Sequence, residues 1–155
     1  MIATVLLIAF TIAIGGILSV WLSGYTKTAT TTVETTTEAE IKCASSVLFV
    51  KEAKYSTTGN WITAIVSYEG GSEDLYNFTI TVAKGGYFNT TTISTYTKTS
   101  PLKAGQIFAQ NMTSSDMSNI ANLIPPDLVR VRAVCQDTVS KIGECKSGQA
   151  CMKAG

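Results

Sequence analysis

The first charged side chain in the sequence is Lys27, and the 26 residues before it carry none. All 12 Lys and Arg and all 11 Asp and Glu lie in residues 27–155. Within Met1–Tyr25, MIATVLLIAFTIAIGGILSVWLSGY, 18 of 25 residues are apolar. At about 1.5 Å per residue a helix of this length reaches about 37 Å, enough to cross a hydrocarbon core of about 30 Å. Val5, Leu6, Leu7, Ile8, Ala9 and Phe10 follow one another, so every face of a turn is apolar. Such a helix has no side to offer water and needs lipid or other helices around it. Its ten Leu, Ile and Phe side chains would cost on the order of 15–30 kcal/mol if left in water.

Three settings meet that demand. A cleavable signal peptide is disfavoured, because no basic segment precedes the apolar run and the run exceeds the usual ~7–15 residues. A plain membrane anchor fits the hydropathy. So does a helix that first spans the membrane and later packs into a bundle. Gly15, Ser19 and Ser23 recur at i, i+4 and i+8, and Ala9 and Ala13 form a second such pair. Small residues at that spacing give a smooth face against which another backbone can approach. Gly15-Gly16 also marks a place where the helix can bend.

The order of residues 2–21, IATVLLIAFTIAIGGILSVW, resembles the N-terminal segment of archaeal type IV pilins, including those of adhesive surface pili. The resemblance implies a short basic leader removed by a dedicated peptidase, a membrane-held precursor, and export by a pilus assembly machinery. It further implies that the mature helix packs among identical subunits in the centre of an extracellular helical homopolymer. Ile2, Val5, Leu6, Ala9, Ala13, Gly15, Gly16, Ser19 and Ser23 are then the expected filament-core contacts. No leader ending in a basic residue and glycine precedes Met1, so the chain is expected either to be processed already or to start differently. Bacterial type IV pilins carry a glutamate where Val5 stands, which favours the archaeal branch, to which archaellins are related.

Residues 26–37, TKTATTTVETTT, hold eight threonines in twelve. A linker, a solvent-facing helix and an O-glycosylated stalk are all open to such a segment. Threonine is a mediocre helix former. Yet no Gly or Pro interrupts residues 26–45, and Val33, Ile41 and Ala44 could form a sparse apolar face opposite Lys27, Glu34, Glu38, Glu40 and Lys42. Continuation of the helix to about residue 42 is the favoured expectation. The predicted organisation is a helical segment over 1–45 and an outer domain over 46–155.

From Ser46 onward the period becomes alternating. Tyr76, Phe78, Ile80 and Val82 are expected on one face of a strand over residues 75–83, with Asn77, Thr79 and Thr81 on the other. Strands are further predicted over 47–53, 61–68, 87–96, 106–110 and 129–135. Gly70-Gly71 and Gly85-Gly86 lie at turns, and a short helix over 115–123 is stopped by Pro125-Pro126. The fold class is therefore α+β, a long hydrophobic helix followed by an antiparallel β-sandwich, of immunoglobulin-like type by strand number and spacing.

Three N-glycosylation tripeptides begin at Asn77, Asn89 and Asn111. They suggest covalent glycans on an exported chain. Four cysteines, Cys43, Cys135, Cys145 and Cys151, allow three pairings. Without histidine or a C-x-x-C pair a structural metal site is not expected. Cys135 falls on the apolar side of Val129, Val131 and Ala133, where it could meet Cys43 at the base of the helix. Cys145 and Cys151 bracket a short polar loop, so the expected bridges are 43–135 and 145–151.

The absence of histidine removes the common triads and the usual near-neutral acid–base group, and no phosphate-binding glycine loop or nucleophile elbow occurs. Neither a cofactor nor catalysis is expected. A net charge of +1 with no basic run argues against nucleic acid. Arg130 and Arg132 fall on the outward face of their strand, where water is their expected neighbour. Adhesion is the expected role, with a membrane-anchored binding domain or an archaellin as alternatives.

Overall fold

A computed structural model describes residues 2–137 and 139–155, with the side chains of Ile2 and residues 26–37 outside the described set. The expected core contact of Ile2 and the expected facing of Lys27, Val33 and Glu34 lie outside it too. Helix α1 runs Ile2–Ala44 and is followed by eight strands: β1 Val47–Ser56, β2 Trp61–Gly70, β3 Leu75–Lys84, β4 Tyr87–Ile93, β5 Ile107–Met112, β6 Leu128–Cys135, β7 Val139–Lys146 and β8 Met152–Ala154. The chain divides into two units, Met1–Glu38 and Ala39–Gly155. The last turn of α1 thus belongs with the strands.

The strands form two four-stranded sheets, ordered β5-β2-β1-β8 and β4-β3-β6-β7. Every pairing is antiparallel except the short β1–β8 contact, which is parallel. Alternation sets which side chains enter the core. Ile62, Ala64, Val66 and Tyr68 of β2 face Phe78, Ile80 and Val82 of β3 and Val129, Val131 and Ala133 of β6, and all are fully buried. Phe78, Tyr96 and Phe108 join the sheets through ring contacts of 4.9–5.5 Å between centroids, in the edge-on and tilted arrangements that aromatic quadrupoles favour.

Two expectations need correction. Tyr76 does not share a face with Phe78. Asn77 has φ 51°, and the β3–β6 register slips between Tyr76 and Thr79, so Asn77 and Phe78 together oppose Ala133 in a bulge. Leu75, opposite Cys135, points into the core, while Tyr76, opposite Val134, moves to the outer face. The predicted helix over 115–123 is reduced to a 3-10 turn, Ile120–Leu123. Asp116 accepts hydrogen bonds from the Thr113 backbone N–H and hydroxyl at 2.9 and 3.0 Å, capping a single turn in which Met117 N–H reaches the Thr113 carbonyl at 3.0 Å, and the turn is not continued. Asn119 then takes a left-handed conformation at φ 60°.

Strand β7 has no period-two apolar pattern because Gly143 occupies an inward position. A Cβ there would come within 2.8 Å of the Leu48 carbonyl oxygen, so the missing side chain lets β7 press onto β1 of the other sheet. Gly143→Val is expected to lower stability by about 1–3 kcal/mol through forced separation of these strands. Thermal denaturation of the full chain in micelles checks this; an unchanged midpoint would show that the approach is not tight.

Candidate assembly surface and modification sites

Helix α1 contains one stretch long and apolar enough to cross a membrane, Ala3–Tyr25, with mean hydropathy 2.5 and no residue buried. Every large apolar side chain from Val5 to Tyr25 is exposed, from 41% at Ile14 to 77% at Val20. A contiguous apolar surface of this kind on a stable molecule marks a contact surface. The helical spacing puts Gly15, Ser19 and Ser23 along one side, and Ala9, Ala13 and Gly16 are exposed as well. A Cβ at Gly15 or Gly16 would meet nothing within 4 Å. Within this chain, then, the glycines are not required by any neighbour. Trp21 and Tyr25 stack at 5.9 Å with an interplanar angle of 12°, and Thr11 returns its hydroxyl to the Ile8 carbonyl at 2.9 Å.

The structure pairs Cys43 with Cys135 and Cys145 with Cys151. The first bond ties the last turn of α1 to the end of β6, and both of its residues are fully buried. Around it Ser46 Oγ and Tyr68 Oη lie 3.1 Å apart, and the Tyr68 hydroxyl donates to the Glu73 carbonyl. Ser72 Oγ donates to the Lys42 carbonyl at 3.2 Å. The second bond closes the turn after β7 and leads into β8, which lies in the other sheet with Met152 and Lys153 paired to Ala53 and Lys54. Two closed disulfides and an apolar N-terminal helix suit an extracellular or cell-surface protein.

The three acceptor asparagines differ in surroundings. Asn77 is exposed at the β3 bulge. Asn111 is exposed on edge strand β5, its side-chain oxygen accepting from Thr63 at 3.1 Å. Asn89 uses its amide nitrogen, the atom a glycan would occupy, to donate to the Ser118 carbonyl at 2.7 Å. Alternation alone could not separate the three, because Asn89 is held by a segment 29 residues away.

A polar cleft beside the last turn of α1 is lined by Ser72, Glu73, Asp74, Tyr76, Lys98 and Asp137, among others. Its groups largely satisfy one another. The Tyr76 hydroxyl donates to Asp137 at 2.7 Å, Lys98 donates to both Asp137 oxygens, and Gln136 donates to Glu73 at 2.7 Å. Burial, then the bond to Asp137, pushes the Tyr76 phenol up to about 12. Lys98 first, then Tyr76, holds the Asp137 carboxyl below its ordinary value. Arg130, exposed as expected, pairs with Glu144 across β6–β7 at 2.7 Å, an exposed bond of little energetic weight. Among the described residues no group of three or more His, Cys, Asp or Glu is placed to hold a metal.

No protein family matches the chain, and no curated protein does. Among solved structures, the ligand-binding region of serine-glutamate repeat protein A of Enterococcus faecium is similar at a TM-score of 0.42 and 13% identity, over 72% of this chain and 96% of that one. A likeness of that degree carries no functional argument.

Two outcomes follow from the site chemistry. Loop closure over 92 residues against 6 predicts that Cys43→Ser/Cys135→Ser costs about 4–5 kcal/mol and Cys145→Ser/Cys151→Ser about 2. Chemical denaturation of the two variants tests that order. Tyr76, raised from 10.0 to about 12, binds its proton more tightly when folded. Its contribution is complete below about pH 10 and is lost as pH rises towards 12. Asp137, shifted the other way, contributes above its unfolded value of about 3.9 and loses this as pH falls through its lower folded value. Tyr76→Phe should flatten the alkaline limb of the stability profile; an unaltered limb would contradict the assignment.

Proposed function

We propose that this chain is a structural subunit of an extracellular type IV pilus-like filament of the archaeal kind, polymerising through α1 and serving surface adhesion. The observation that carries the reading is the bare surface of Ala3–Tyr25, apolar all round and uncharged. In the membrane, lipid covers it. After assembly, identical helices take over that role, each burying the surface its neighbours expose. The small residues Ala9, Ala13, Gly15, Gly16, Ser19 and Ser23 let backbones approach, and Val5 and Leu6 fill the space between. Residue order in 2–21 supports this over a permanent anchor, by its resemblance to archaeal type IV pilins.

The second unit would form the outside of the filament. Its partition of strands, β1, β2 and β5 in one sheet and β3, β4, β6 and β7 in the other, supports an immunoglobulin-like reading. Taken in order as A, B, C, C′, E, F and G, strands β1 to β7 put A, B and E opposite C′, C, F and G, a two-sheet partition related to that of such domains but lacking strand D, with β8 as an addition. Asn77 and Asn111, both exposed, are the better glycan acceptors. No catalytic role is proposed.

Gly15→Leu and Ser19→Leu should leave membrane insertion intact, since both retain or raise hydropathy, and should abolish filaments. Electron microscopy of sheared surface material, with membrane fractionation, measures both. Normal filaments from either variant would overturn the close-packing argument. A wild-type chain that stays in the membrane with no filaments would favour an anchored binding domain.

A further inference from the structure

Strand β3 begins at Leu75, paired with Cys135 and so beside Cys43, and ends at Lys84. Those nine steps, at about 3.3 Å each, carry the chain about 30 Å to the opposite end of the domain. There Gly85 and Gly86, at φ 55° and 89°, make the two-residue turn whose positive φ values suit a tight hairpin. Beyond it Tyr87 and Phe88 are 72% and 74% exposed. Two adjacent aromatic rings held in water by a paired strand need an explanation, since neither contributes to the core.

Beside them lies a cavity of about 170 Å³, roughly the space of five or six waters at about 30 Å³ each. It is lined by Tyr87, Phe88, Asn89, Asn119, Asn122 and Leu123. No lining side chain is charged. Among the described residues, the side-chain amides of Asn119 and Asn122 make no hydrogen bond, whereas Asn89 is fixed to Ser118 through its nitrogen at 2.7 and 3.2 Å. The nearest cation along the hairpin, Lys84, is engaged by the Ile124 carbonyl. Each free amide offers two donors and an acceptor, and the rings offer flat apolar surface.

We infer that this distal cleft is a binding site for a neutral carbohydrate, one pyranose ring stacking on Tyr87 or Phe88 while its hydroxyls bond Asn119 and Asn122. A sugar ring has apolar C–H faces and an equatorial belt of paired donors and acceptors, the complement of rings beside amides. An anionic ligand finds no cation here. The cavity matches one ring and is smaller than the ~300–1,000 Å³ pockets of larger ligands. Asn89 is then part of the cleft wall, not a glycan acceptor. This inference goes beyond the filament reading and does not depend on it.

The test uses the full chain in micelles of a detergent that carries no sugar. Saturation-transfer NMR is run against the methyl glycosides of glucose, galactose, mannose and N-acetylglucosamine, with sialic acid as the anionic control. At least one neutral glycoside should receive saturation and sialic acid should not. Tyr87→Ser/Phe88→Ser should weaken binding about tenfold or more, and Asn122→Ala should weaken it detectably, with thermal midpoints unchanged because all three side chains are exposed. No neutral glycoside bound, equal binding of sialic acid, or affinity unchanged in either variant would overturn the inference. So would a covalent glycan on Asn89 by peptide mass mapping. Self-association lost in the aromatic variant, with no glycoside bound by the wild type, would assign the patch to a second copy instead. Filament formation is scored separately, so either reading can fail alone.

Discussion

An uncharged apolar stretch of helix, Ala3–Tyr25, with its side chains bare must be solvated by something other than water. The second unit, Ala39–Gly155, includes none of Ala3–Tyr25. It therefore closes its own core, with Tyr68, Phe78, Ile62, Leu75 and Ile80 fully buried between two sheets. Where α1 enters the domain, its last turn is fixed by a covalent bond at Cys43 and a polar bond from Ser72 to the Lys42 carbonyl. That anchorage is local and does not use the apolar surface. The apolar surface stays free for lipid or for other helices.

Two different kinds of exposed apolar surface result. On Ala3–Tyr25 it is continuous, covers every face and is interrupted only by small residues. At Tyr87 and Phe88 it is confined to one hairpin and bordered by asparagines. The first can only be relieved by a surrounding apolar medium. The second is small enough to remain in water, so its cost is tolerable without a partner. Charge sets the first surface apart from everything after it, since every charged side chain lies at or beyond Lys27.

Where side chains alternate, the sequence states the fold openly. Phe78, Ile80 and Val82 on β3, and Val129, Val131, Ala133 and Cys135 on β6, are inward by period two and inward in the structure. Legibility fails where the backbone departs from that period. Asn77 inserts a bulge that turns Tyr76 outward. Gly143 replaces an inward side chain with a close backbone approach, which hides β7, and β8 is three residues long. In the 113–119 segment, the left-handed Asn119 ends the turn that Thr113 and Asp116 begin. The apolar run of α1 needed no tertiary information at all. The Tyr87 cleft needed all of it, because its walls come from the β4 hairpin and from a loop some 30 residues later.

The position of the cleft gives it a meaning that its chemistry alone does not. β3 and β6 run as a pair from the disulfide-anchored end of the domain to the hairpin end, with register held from Leu75↔Cys135 to Ala83↔Leu128. A load applied at Tyr87 or Phe88 is carried along those strands to Cys135 and across the covalent bond to Cys43 in the last turn of α1. The hydrogen bonds of β3 with β4 and β6 lie across that direction and share it in shear, as antiparallel ladders do. If the helices of many copies form a filament core, a ligand held at the hairpin is mechanically continuous with that core. A binding site at the disulfide end would lack the long strand path. If both proposals hold, rings at the far hairpin and the longer-range of the two disulfides at the helix would together suit attachment under tension.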